Sequence, residues 1–237
     1  MLIRNFFRLH LEVILNGFFI TIEGIEGAGK TTQVKALQEA LSKKSLPVLT
    51  TREPGGSSLG DKIRKLLADP ENEMSALTEF LLFSSARAEH ADKFLRPWLE
   101  EGYIIISDRF TDSSLAYQSF GRGIPESFVR EVNSTATWGI SPNLTFYLDL
   151  MPEGSVKRVK MRCEEMEEIP QRIEREKIDF FRKVRDGYLA LVEDEPNRFR
   201  RIDGTLPANV IHEKILNITL SELKKIKQYN SLNTINL

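Results

Sequence analysis

A chain of 237 residues with 33 Lys+Arg against 34 Asp+Glu carries a net charge of only −1. That balance excludes a general polyanion binder, so neither nucleic acid nor an anionic membrane is expected as a partner. The length suits one α/β domain and suffices to bury roughly three quarters of the unfolded surface, and the single cysteine, Cys163, excludes an internal disulfide and suits a reducing, cytoplasmic compartment.

Residues 1–17 read as an extension of unknown role. Arg4, Arg8, His10 and Glu12 interrupt its apolar residues, so it lacks the continuous apolar core of a signal peptide. Phe18–Glu23 is a run of β-branched and aromatic residues and predicts a buried strand. Gly24, Gly29, Lys30 and Thr31 then fit G-x-x-x-x-G-K-[ST], the phosphate-binding P-loop. Thr32–Leu41 carries Val34, Leu37 and Leu41 at helical spacing. Strand, glycine loop and helix thus follow in the order that phosphate binding needs. Backbone N–H groups of Gly27–Thr31 would converge at a helix N-terminus, where the dipole favours an anion. Lys30 would bridge the β- and γ-phosphates and Thr31 would ligate Mg²⁺.

Further along, Leu46–Thr51 predicts a second strand, closed by the turn Arg52–Gly56, and Ser57–Ala68 a short helix. Ala76–Glu101 predicts a long helix, Tyr103–Ser107 a third strand, and Ser113–Phe120 and Pro125–Thr137 two helices. Leu144–Leu150 is a fourth strand; Pro152–Arg162 opens a helix, a charged loop spans Cys163–Arg172, and Glu174–Glu193 is helical. Phe199–Asp203 is a fifth strand, Pro207–Lys224 a last helix, and 226–237 a polar tail. Alternating strands and helices imply an α/β three-layer sandwich: a five-stranded parallel sheet flanked by helices. One domain, 18–225, is expected. Ligands of such sheets sit beyond the C-terminal strand ends, where the P-loop, TREPGG, SDRF and IDGT all fall.

Asp108, directly after the third strand, can orient the water shell of Mg²⁺, and Arg109 can hold an acceptor phosphate bidentately. Alone, this pair reads equally well as a strand-end ion pair. Ser114, Tyr117 and Gln118 follow on about one helical turn. Phe83 and Arg87, at i and i+4, share a helix face and can stack on a base and donate to carbonyl oxygens; taken singly they read as core and as a solvated arginine. His10, His90 and His212 show no metal spacing and read as surface or helix-packing residues. Trp98 and Trp138 read as core or interface. Cys163, in the charged loop, is expected to be exposed.

GIEGAGKTTQ, TREPGG, LLFSSAR, SDRFTDSSLAYQ, GRGIP and PNLTFYLDL, in this order, resemble bacterial thymidylate kinases from about Phe18 to Leu216. The resemblance implies a P-loop NTPase fold and transfer of a phosphoryl group from ATP to dTMP, with Mg²⁺. It places ATP on Gly24, Ile25, Glu26, Gly27, Ala28, Gly29, Lys30, Thr31 and Thr32, with Asp203–Leu206 against the adenine. It places dTMP on Glu53, Arg64, Phe83, Arg87, Arg109, Ser114, Tyr117 and Gln118, with Arg52 nearby. Tyr117 would lie where a ribose 2′-hydroxyl would project, and Glu26 near the acceptor sugar and phosphate. Gly27 stands where one class of the family has an arginine, so the basic residues are expected in a lid at about 160–173. QRIE makes Arg172 the first candidate and Arg162 the second, with Arg158 just before the segment. Lys30, Arg109, Arg172, Arg162 and Glu26 are then the expected catalytic group. The family also implies a homodimer, with Ala76–Glu101 a plausible interface. The alternatives are a kinase for another deoxynucleoside monophosphate such as dUMP and, in a different class, a P-loop switch that transfers nothing.

Overall fold

The computed structural model describes residues 16–226 and Tyr229. Most of the N-terminal extension, with His10, and most of the C-terminal tail lie outside them. Five strands form one parallel sheet in the order β2-β3-β1-β4-β5. They are β1 (Phe18–Glu23), β2 (Val48–Arg52), β3 (Ile104–Asp108), β4 (Leu144–Asp149) and β5 (Phe199–Asp203). Every residue of β1 and β4 is buried, whereas β2 and β5, at the two edges, alternate with exposed positions. The inner strands β1 and β4 are therefore covered on both faces, polar positions Thr21, Glu23, Thr145 and Asp149 included.

The helices are α1 (Lys30–Ser42), α2 (Ser58–Ala68), α3 (Ala76–His90), α4 (Arg96–Glu100), α5 (Thr111–Ser114), α6 (Glu126–Ala136), α7 (Pro152–Met166), α8 (Ile178–Asp194) and α9 (Ala208–Leu223). Ser57 and Ser75 cap α2 and α3 by accepting the amides of Gly60 and Thr78. No helix among the described residues is long and apolar enough to cross a membrane.

Four expectations change in detail. The long helix Ala76–Glu101 is interrupted by a π-helical segment, Ala91–Leu95, and the helix at Ser113–Phe120 is α5 followed by a π-helical turn, Leu115–Gly121. The helix expected from Glu174 begins only at Ile178. Arg172–Arg175 forms a 3₁₀ turn, closed by a capping box between Gln171 and Glu174, and Glu176 and Lys177 are extended. Cys163 is buried, not exposed: α7 continues through it to Met166 and places Val159 and Cys163, one turn apart, on the inner face.

An ion pair fixes the site-bearing turn after β3 to the far side of the sheet. Asp112 is 1% exposed and receives Arg198 Nη1 at 2.7 Å and Nη2 at 2.8 Å; Arg198 Nη1 also reaches Thr145 Oγ1 at 2.8 Å. Removing one partner strands a buried charge. Arg198→Ala should lose about 3 kcal/mol of unfolding free energy in urea titration; a loss below about 0.5 kcal/mol would show the pair to be dispensable.

Candidate active site

Parallel pairing aligns the ends of three strands. Asp108 lies level with Ile22 of β1 and Arg52 of β2. The next residues interlock: Arg109 N–H donates to the Ile22 carbonyl (3.1 Å), and Glu53 N–H to the Asp108 carbonyl (3.0 Å). The loops after β1, β2 and β3 thus open into one cleft of about 820 Å³.

The P-loop forms one wall. Gly29 has φ +93° as it enters α1, and Gly27 has φ +72°, conformations that favour glycine. Gly27 meets a second constraint, since a Cβ there would lie 3.1 Å from Arg158 Cβ and 3.2 Å from the Ser155 carbonyl. The start of α7 therefore packs directly on the loop. Ser155 Oγ donates to the Glu26 carbonyl (2.6 Å) and Arg158 Nη1 to the Gly27 carbonyl (3.2 Å). Glu26, Gly27, Gly29, Lys30, Thr31 and Thr32 line the cleft. Gly24, Ile25 and Ala28 are buried and are not among its walls. Lys30 Nζ donates to the Ile25 carbonyl (3.0 Å). Burial and the neighbouring Arg109 lower the Lys30 ammonium from 10.5 to about 8. Thr31 Oγ1 donates to Asp108 Oδ2 at 2.6 Å. This hydroxyl–carboxylate pair is a hard oxygen donor set of the kind Mg²⁺ takes.

Arg109 joins this wall to the opposite one. Its φ is +74°, a left-handed conformation that costs about 1–3 kcal/mol for a non-glycine residue. Both ends of the residue are pinned: its N–H bonds Ile22, and its carbonyl accepts from Ser107 Oγ (2.7 Å). The guanidinium bonds Glu26 Oε1 (2.7 Å), Tyr117 OH (3.1 Å), Ser113 Oγ (3.1 Å) and Tyr188 OH (3.3 Å). Tyr117 OH donates to the other Glu26 oxygen at 2.7 Å. Beneath lies Glu23, fully buried, accepting from Phe110 N–H, Ser113 Oγ and Tyr188 OH. Burial and then Asp112 push its carboxyl up to about 7.

Phe83, Arg87, Ser114, Tyr117 and Gln118 line the same cleft. Arg87 is 2% exposed, not solvated. Its Nε bonds Glu53 (2.7 Å), Nη1 bonds Ser114 Oγ (2.8 Å) and Asn133 Oδ1 (2.6 Å), and Nη2 bonds the Phe110 carbonyl (3.1 Å). A guanidinium has five N–H groups, so one on Nη2 is left. Ser114 therefore orients Arg87. Glu53, expected to touch the acceptor itself, has both oxygens engaged, one by Arg87 and one by His90 Nδ1 (3.0 Å). His90 is fully buried and also bonds Thr51. Arg64 lines the cleft and donates to the Pro54 carbonyl (3.1 Å), while Arg52 faces Asp61 at 3.6 Å.

The lid arginines divide. Arg172 pairs with Glu79 on α3 (2.7 Å) and donates to the Leu67 carbonyl, both on the acceptor side. Arg162 pairs with Glu174 (2.9 Å), within the lid. Arg158 lies on the P-loop. The Asp203–Leu206 turn does not line this cleft, although Gln33 of α1 bonds the carbonyl of Ala208 just beyond it.

Sequence reasoning passed over Glu23, Glu79, Asn133, Tyr188 and the role of His90. Glu23 did carry a signal, a carboxylate closing an otherwise apolar buried strand. Tyr188 and Asn133 carried none, because their partners are remote in sequence.

The family model for thymidylate kinase matches residues 22–215. The chain belongs to the thymidylate kinase family. It is 44% identical over 204 residues to the thymidylate kinase of Thermoanaerobacter sp. (strain X514), covering 86% of this chain and 98% of that one. It is 42% identical over 213 residues to that of Caldanaerobacter subterraneus subsp. tengcongensis, covering 90% and 100%. The crystal structure of thymidylate kinase from Ehrlichia chaffeensis superposes with a TM-score of 0.67 at 32% identity, covering 86% of this chain and 98% of that one. Membership makes the chain a phosphotransferase of the nucleoside monophosphate kinase class.

The lowered Lys30 has a measurable consequence. A bound triphosphate next to Lys30 favours the ammonium and raises it again, so the complex holds a proton that the free protein lacks at and above pH 8. Titration calorimetry in buffers of different ionisation enthalpy should show uptake of about half a proton per nucleotide at pH 8. Affinity should fall as pH rises through that point. Binding without proton uptake at pH 8 would contradict the assignment.

Proposed function

We propose that the chain transfers the γ-phosphoryl group of ATP to dTMP, giving ADP and dTDP, with the P-loop as donor site and the Phe83–Gln118 wall as acceptor site. The observation that carries this reading is the Arg109–Glu26 pair, through which the two walls meet in one cleft. In this reading a phosphate oxygen of dTMP attacks the γ-phosphorus, the bond to the β-phosphate oxygen breaks, and ADP leaves. The attacking phosphate is already a dianion, so no strong base is needed. The obstacle is the approach of two anions, and catalysis is positioning with charge neutralisation.

Lys30 and the loop amides hold the β- and γ-phosphates. Thr31 and, through water, Asp108 would hold Mg²⁺, which when bound neutralises charge on those phosphates. Arg109 takes the dTMP phosphate by exchanging part of its internal hydrogen bonding. Glu26 keeps that guanidinium and Tyr117 aimed at the acceptor sugar. Phe83 stacks on the base, and the remaining N–H of Arg87 meets a pyrimidine carbonyl. Arg158, already on the P-loop, is the nearest lid cation to the transferring phosphate, with Arg162 behind it. Arg172 could join them only after leaving Glu79.

A homodimer is supported by exposed apolar residues on neighbouring helices: Leu77 and Leu81 on α3 and Phe128 on α6. The single cysteine suits a cytoplasmic enzyme.

A coupled ADP-release assay with dTMP, dUMP, dCMP, dGMP and UMP should show turnover highest with dTMP. No turnover with any monophosphate would leave only a nucleotide switch, and preference for UMP would remove Tyr117 from its place at the sugar. Lys30→Ala should lower kcat by about two to four orders of magnitude with the fold retained by circular dichroism; near-normal kcat would take Lys30 out of the reaction.

A further inference from the structure

Glu79 has no role in the mechanism above, yet it is among the most enclosed charges in the molecule. It lies on α3, one turn before Phe83 and two turns before Arg87, and is 1% exposed. Its Oε1 accepts from Gln118 Nε2 (3.0 Å) and Arg122 Nε (3.2 Å). Its Oε2 accepts from Arg122 Nη2 (2.9 Å) and Arg172 Nη2 (2.7 Å). Arg122 continues to Glu176 of the lid at 2.7 Å. Burial opposes the charge, but hydrogen bonds from Arg122, Gln118 and Arg172 hold the carboxyl below its ordinary range. Glu79 is therefore ionised.

An ionised carboxylate accepts hydrogen bonds and cannot donate them. The amide of Gln118 could turn either end toward Glu79, but only Nε2 finds a partner there. Nε2 keeps one further N–H, and the acceptor that this cleft-lining side chain still has to offer is Oε1. Arg87, across the same wall, has only donors to offer. A base edge lying here meets one acceptor and one donor. Thymine and uracil match, because N3–H donates and O4 accepts. Cytosine reverses both, because its N3 accepts and its N4 amine donates.

We propose that Glu79 is a specificity-determining positioning residue: it fixes the Gln118 amide so that the acceptor site takes a pyrimidine with a protonated N3, and it ties that choice to the lid through Arg172. The proposal rests on the reading of this cleft as a pyrimidine monophosphate site.

The test compares kcat/KM for dTMP and dCMP. Glu79→Gln keeps the size of the side chain but can donate as well as accept, which frees the Gln118 amide to turn. The dTMP-to-dCMP preference should fall about tenfold or more, mainly through KM. Any effect through Arg172 on both substrates cancels in the ratio. In a Gln118→Ala background the same change should alter the preference by less than about twofold, because Glu79 then has nothing to orient. A wild-type enzyme active on dTMP whose preference survives Glu79→Gln within about twofold, or falls equally without Gln118, would overturn the role of Glu79 and leave the substrate reading intact. A wild-type enzyme inactive on dTMP would overturn both. Should Glu79→Gln fail to fold, the assigned side-chain amide of Gln118 in the wild-type–dTMP complex decides: slow hydrogen exchange is expected, and exchange as fast as that of an exposed glutamine refutes the proposal.

Discussion

The cleft is organised around one cation, Arg109, held between a partly buried carboxylate and a fully buried one. Glu26 pairs with it from the P-loop and Glu23 lies beneath it, reached through Ser113 and Tyr188. The arginine sits in a backbone conformation that a side chain resists, with φ at +74°. Strain at such a point persists only where the surroundings overdetermine it. Here they do, since strand pairing fixes one end of the residue, Ser107 the other, and hydroxyls of three further side chains the guanidinium.

Burial of charge is used differently at the two ends. At the P-loop it lowers the Lys30 ammonium from 10.5 to about 8. Around Arg87 it is almost fully compensated. Arg87, Glu53, His90, Ser114 and Asn133 satisfy one another almost completely, which leaves a single N–H on Arg87 for a ligand. A rigid polar wall with few spare donors discriminates between bases better than a flexible one, because a mismatched partner leaves buried groups unpaired.

The lid shows why residue type alone does not assign a role. Arg158, Arg162 and Arg172 are equivalent as letters. Their partners separate them: a P-loop carbonyl for Arg158, a carboxylate of the lid itself for Arg162, and a carboxylate of the acceptor wall for Arg172. Gly27 belongs to the same account. Without a side chain it lets α7 rest on the loop, which sets Arg158 against the Gly27 carbonyl.

The sequence by itself determined what depends on neighbours along the chain. Alternation and apolar runs gave five strands in a parallel sheet, and the P-loop, Asp108–Arg109, Phe83–Arg87 and Ser114–Gln118 were legible because each lies within a turn or two. It also determined the family, since those motifs recur in a set order. Tertiary structure decided what depends on pairing across the sheet. Register brought Arg109 against Ile22, and α8 delivered Tyr188 to Glu23. It set Glu53 against Arg87 and His90, and buried Cys163 by extending α7. The π-helical turn at Leu115–Gly121, which no periodicity announces, buries both Tyr117 and Gln118. The physical reason is range: helical and strand periodicity are local, whereas the hydrogen-bond partner of a buried polar group is chosen by whatever the fold brings to it.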